Sequence, residues 1–213
     1  MQASKFRSPS AFTVLELLVM VAAVAALLAL LFIGLPRARQ QARERQCVNN
    51  LKHVGLAVRL WSITDPKFAM QTPTAYGGSM EFVTNGQVFF TFVVMSNELN
   101  SPNILICPAD NRTEAANFSS GFANSNVSYF MSVTADETMP QMLLSGDRNL
   151  TNGPLLPNRL LRLTTNSAPG WDHQLHKLRG NVAFADGSVQ SRDTSQLRLA
   201  VTNSGDDNLL AFP

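Results

Sequence analysis

Ser10-Ala11-Phe12-Thr13-Val14-Leu15-Glu16-Leu17-Leu18 leads straight into Leu17–Leu35, an uncharged run of 19 residues. Nineteen helical residues at 1.5 Å each reach about 28 Å, close to the roughly 30 Å hydrocarbon core of a bilayer. Ala and Leu dominate Val21–Leu31, so the run favours helix. A cleaved secretory signal carries a shorter apolar region, about 7–15 residues, followed by a small-x-small site. This run is longer and ends in Gly34-Leu35-Pro36-Arg37. One carboxylate, Glu16, stands inside the otherwise apolar helix. An ionised side chain near membrane depth costs about 2.5 kcal/mol or more unless it pairs or snorkels, and a lone anchor gains nothing from it.

Outside that run the chain is ordinary. Its 213 residues hold 17 Lys and Arg against 15 Asp and Glu, a net charge of +2, with 45% hydrophobic and 15% charged residues. That balance excludes a disordered polyelectrolyte and gives no general case for binding nucleic acid. Residues 37–213 suffice for one domain with its own core. Arg37, Arg39, Arg43, Arg45 and Lys52 against the single Glu44 make residues 37–52 basic, whereas the leader has only Lys5 and Arg7. Taken alone, the positive-inside rule would put the C-terminal side in the cytoplasm.

Past Arg37 the residues are helix formers, and Val48, Leu51, Val54, Val58 and Trp61 recur at helical spacing. One helix from about Thr13 to Ile63 is therefore expected, with Gly34 and Pro36 inviting a kink or local melting. After Asp65-Pro66 come short apolar runs punctuated by Gly, Pro, Asn and Ser. Val88–Leu99 reads as helix. Asn103–Cys107, Val127–Thr134, Gln141–Ser145, Asn181–Ala185 and Ser188–Arg192 read as strands, with Asp186-Gly187 as the hairpin turn between the last two. Thr194–Asn203 reads as a helix capped by Asp193, with Gln196 three residues on. The expected architecture is α+β: a long N-terminal helix packed on a small antiparallel sheet.

The leader, Phe12 and Glu16 together resemble the N-terminal signal of type IV pilins and pseudopilins. The resemblance implies a leader of residues 1–11, a helix over 12–63 and a periplasmic head over 64–213. It implies cleavage between Ala11 and Phe12 by prepilin peptidase, with methylation of Phe12; Ala11 stands where the family usually has Gly. It also implies that Glu16 pairs with the amino terminus of a neighbouring subunit, and that the chain crosses the inner membrane with its head outside. Further stretches, Gln46–Ala57, Ile106-Cys107-Pro108-Ala109-Asp110 and Gly180–Val189, are similar to prepilin-like proteins of planctomycetes and verrucomicrobia. Their C-terminal signature is a His, nine residues and Asp-Gly, a spacing that His176, Asp186 and Gly187 keep.

Cys47 and Cys107 both fall in the part placed outside the cytoplasm, where thiols tend to pair. A disulfide between them would pin sheet to helix; two separate buried thiols are the alternative, required if the Cα atoms lie more than about 7 Å apart. His173 and His176 could share a face, but no third His or Cys stands nearby in sequence, so solvated loop histidines are expected rather than zinc. His176 is expected to hydrogen-bond the Asp186-Gly187 turn. Asp110, Asp147 and Asp186 read as turn caps, with calcium in the head as the other possibility, since major pseudopilins can bind it there. No nucleophile elbow, phosphate-binding glycine loop or H-E-x-x-H is present, so no enzyme is expected. The expected partners are prepilin peptidase, other pilin-like subunits, the inner-membrane assembly platform and the lipid bilayer. The alternative is a membrane-anchored periplasmic binding module that does not polymerise.

Overall fold

The computed structural model describes residues 12–64, 67–152, 155–205 and 208–213. The leader with Ala11, and Asp65-Pro66, lie outside the described residues. Helix α1 spans Val14–Trp61, within two residues of the expected bounds, and its assignment runs on through Pro36. The described chain falls into two compact units parted between Ala42 and Arg43.

In the first unit every described side chain is exposed; Phe12, Leu15, Leu27 and Leu30 are 62–74% accessible. Helix α1 is the one described element long and apolar enough to cross a membrane, and none of its most apolar stretch is buried.

The second unit begins with the rest of α1, which buries Cys47, Asn50, Leu51, Val54, Ala57 and Val58. Those positions share one helical face. Val48 and Trp61, placed on the stripe from sequence, are only half-buried at its edges. Short helices α2 (Met80–Thr84), α3 (Phe89–Val94) and α4 (Ser96–Leu99) follow, the last two within the expected Val88–Leu99 helix. The strand expected over Asn103–Cys107 is instead a 3-10 turn, Pro102–Leu105. Pro102 fits the first turn, where no N–H is needed, and the Ser101 hydroxyl accepts from Asn103 N at 3.4 Å.

Strands β1 (Tyr129–Ser132), β2 (Leu143–Asp147), β3 (Leu150–Thr151), β4 (Leu160–Leu163), β5 (Gly170–Trp171), β6 (Arg179–Phe184) and β7 (Val189–Asp193) precede α5 (Thr194–Asn203) and β8 (Asn208–Ala211). Six form an antiparallel sheet ordered β4-β8-β1-β2-β6-β7, while β3 and β5 pair separately. Alternation sorts the side chains of the large sheet. Tyr129, Met131, Leu144 and Ala183 join the core containing Leu51, Val54 and Val58; Phe130, Leu143, Val182 and Phe184 join Leu197 and Val201 of α5. Burying each large aliphatic or aromatic side chain contributes about 1.5–3 kcal/mol. The sheet thus has apolar cores on both faces, and polar groups caught between sheet and α1 must satisfy one another.

The expected devices at the C-terminal end are present. Asp193 accepts from Gln196 N at 2.8 Å while Gln196 Oε1 accepts from Asp193 N, closing a capping box on α5. Gly187 turns the β6–β7 hairpin at φ 86°, a value that favours glycine.

Candidate functional site

A buried polar cluster lies between α1, β2 and the loop that follows β5. Cys47 comes from the buried face of α1 and Cys107 from the segment after the 3-10 turn. They form a disulfide with Cα atoms 5.0 Å apart. His176 reaches the same place from the loop between β5 and β6. Lys177 and Leu178 have left-handed φ angles of 52° and 64°, so the chain reverses there: His176 is buried while its two successors are exposed. Such conformations cost a non-glycine residue of order 1 kcal/mol and persist where the surroundings enforce them. His176 Nε2 lies 3.3 Å from Cys107 Sγ and 3.3 Å from Asp147 Oδ2.

Asp147 ends β2 and is fully buried. Its Oδ2 accepts from both Asn181 N and Asn181 Nδ2 at 2.8 Å, whereas Oδ1 has no hydrogen-bond partner among the described residues. Burial pushes the carboxyl up to about 7 against the lowering effect of the Asn181 bonds. Burial likewise pushes His176 below its ordinary value. Both shifts favour neutral forms, as expected where charge is far from water. Tyr129 faces the same interior, and burial, then the Asp147 charge, raises its hydroxyl well above the usual tyrosine range. Sulfur and carboxylate approach the same imidazole nitrogen, so the three residues do not form a proton relay through both ring nitrogens. With the sulfurs bonded to each other, neither is a thiolate nucleophile.

A second buried charge lies nearby. Arg148 forks onto Asp110 and also donates to Gln174 Oε1 at 2.6 Å. Arg112 donates to the Asn124 and Val127 carbonyls and, at 3.1 Å, to that of Pro213, which Arg159 also engages. Burial, with the charge of Arg148, lowers Arg112 to about 10. Arg112 ties the 110–127 loop to Pro213 just past β8, and it gives no motif in the sequence because these partners are backbone oxygens.

The remaining residues singled out from sequence fall elsewhere. The expected bond from His176 to the Asp186-Gly187 turn is not made. That turn is held by Asp186 Oδ1 accepting from Ser188 N and by Arg59 Nη1 of α1 donating to the Asp186 carbonyl, both at 2.8 Å. His176 turns instead to Asp147, which offers a buried acceptor. His173 is exposed, so the two histidines do not share a site. Asp110 has both carboxylate oxygens taken by Arg148, and Asp186 caps its own turn, so Asp110, Asp147 and Asp186 do not gather into one oxygen cage. Glu16 Oε2 accepts from Thr13 N at 2.9 Å and Thr13 Oγ1 at 3.0 Å, closing a capping box at the start of α1. Phe12 is exposed beside it. Comparisons with family models, with curated proteins and with solved structures give no match.

Proposed function

We propose that this chain is a prepilin-like structural subunit of a type II secretion pseudopilus or a type IV pilus-like filament. Prepilin peptidase cuts between Ala11 and Phe12 and methylates Phe12. The apolar half of α1 anchors the subunit in the inner membrane with the head in the periplasm. An assembly platform then transfers that helix from lipid into a bundle of like helices. The subunit catalyses nothing itself.

The observation that carries this reading is Glu16. It sits at the start of a helix whose described apolar side chains through Leu30 are all exposed and therefore require lipid or other helices to cover them. In the single chain its carboxylate caps its own helix through Thr13. Within a filament the same carboxylate is available to a neighbour's terminal ammonium, fixing axial register. The second reading is a periplasmic binding module tethered by the same helix, in which the cap is the whole role of Glu16.

Glu16→Gln separates them, because glutamine keeps the cap's acceptor oxygen and removes the charge. Crosslinking in native membranes should give subunit ladders for the parent chain and none for the variant. Ladders of equal length in E16Q would defeat the pairing role, and a mature protein still beginning at Met1 would defeat the pilin-like reading altogether.

A further inference from the structure

Three donor atoms, Cys47 Sγ, Cys107 Sγ and a ring nitrogen of His176, all lie within 4.8 Å of one another, and all three residues are buried. Asp147 Oδ2 stands 3.3 Å from the same imidazole nitrogen, and the unpartnered Oδ1 leaves this buried carboxylate with unused acceptor capacity. Tetrahedral zinc with bonds of about 2.3 Å to sulfur and about 2.0–2.1 Å to nitrogen or oxygen has ligand–ligand edges of about 3.3–3.6 Å between imidazole and a sulfur or carboxylate ligand. The observed 3.3 Å separations from His176 Nε2 to Cys107 and to Asp147 have that scale. The sulfur–sulfur edge must open on reduction, because a tetrahedral pair of thiolates stands about 3.8 Å apart and these two sulfurs are bonded.

We propose that reduction of Cys47–Cys107 converts this cluster into a zinc-class metal site with Cys47, Cys107 and His176 as ligands and the Asp147 carboxylate beside the imidazole. A dithiol gives the disulfide two electrons and two protons and becomes a disulfide itself; a phosphine gives the two electrons, while water supplies the two protons and the oxygen of the phosphine oxide. The divalent cation then displaces the two thiol protons as it bonds both sulfurs. Asn181, donating twice to Asp147 Oδ2, holds that carboxylate in place beside His176. Two thiolates and an imidazole select zinc or cobalt over calcium or magnesium. The loop carrying His176 reverses at Lys177 and Leu178, and Lys177, Leu178 and Arg179 are exposed. Oxidised, the site cannot form; reduced, a metal takes over the crosslink between α1 and the Cys107 segment. The inference concerns the head alone and holds whether or not the subunit polymerises.

The test is cobalt(II) titration of the full chain in detergent micelles, reduced with a phosphine and desalted without oxygen. The expected result is one equivalent bound, with a thiolate-to-cobalt charge-transfer band and the intense visible bands of tetrahedral cobalt, and none in the oxidised chain. His176→Ala should weaken binding at least tenfold, and Asp147→Asn should shift the visible bands while keeping the thiolate band. Near-ultraviolet circular dichroism follows the fold in parallel. If reduction alone melts the head, recovery of its signal on adding cobalt supports the site, and failure to recover overturns it. Absence of the thiolate band, equal affinity in H176A, or the same spectrum in strong urea also overturns it.

Discussion

Arg148 grips Asp110 with two parallel hydrogen bonds, Nε to Oδ2 and Nη2 to Oδ1, each 2.8 Å long. The Asp110 side chain has no solvent exposure, so the guanidinium is what makes its charge tolerable. Removing one member of a buried pair leaves the other uncompensated, which typically costs 3–5 kcal/mol. Arg148→Met is expected to destabilise the head by about 3 kcal/mol, read as a lowered urea midpoint. Adding Asp110→Asn should restore part of the loss, and purely additive losses would contradict this account.

The same pair predicts acid sensitivity. Burial alone would raise the Asp110 carboxyl, but the hydrogen bonds and charge of Arg148 outweigh it and hold the group below the usual aspartate value. A carboxyl lowered by folding contributes stability above the unfolded value, near pH 4, that is lost as pH falls through the folded value. Denaturation between pH 5 and pH 2 should show a shallower loss of stability in Asp110→Asn than in the parent chain.

Asp147 has the opposite sign. Its folded value near 7 exceeds the unfolded one, so its contribution is fully present below about pH 4 and is lost as pH rises to about 7. Over that window the parent chain should lose stability that Asp147→Asn does not, and the oxidised variant should be the more stable at pH 8. Identical pH slopes in the two proteins would refute this.

The disulfide closes a sequence separation of 60 residues. Loop entropy for a ring of that size gives about 4 kcal/mol on the chain-entropy model. The Cys47→Ala/Cys107→Ala double variant, measured without metal, should lose stability of that order, with α1 helicity by circular dichroism retained.

Gly180 in β6 lies under the Trp171 ring, so closely that an added Cβ would stand 2.3 Å from Cζ3. Gly180→Ala must push the indole out of its place. Overpacking of this kind costs about 1–3 kcal/mol, and a red shift of the Trp171 emission should accompany the lowered midpoint.

Much of the scaffold was legible because its signals are local. Helical spacing marked α1, Asp193 and Gln196 marked the start of α5, and Asp186-Gly187 marked the hairpin between β6 and β7. Asn103–Cys107 misled because its apolar pattern suits a strand, whereas Ser101 and Pro102 favour a capped turn. Strands β4 and β8 have few residues and pair with each other across more than 40 positions, so no short window reveals them. The cluster is half legible: compartment reasoning links Cys47 to Cys107, but the sequence directs His176 to the Asp186-Gly187 turn, whereas the structure sets it beside Asp147. The nine-residue spacing to Asp186 was visible in sequence, while the proximity of Asp147 arises only when β2 pairs with β6 and the loop reverses at Lys177.

Strand β8 occupies an interior place, between β4 and β1, although it follows every other strand in the chain. Within the sheet β4 has no neighbour except β8, so a nascent polypeptide leaves it unpaired until residues near 211 have emerged. Over the last stretch of synthesis apolar Leu161 and Leu163 therefore lie on an unpaired strand, an aggregation hazard of the kind holding chaperones suppress. Completion of the head is a late, all-at-once event, and any ribosomal stall short of β8 yields a sheet with two loose sides.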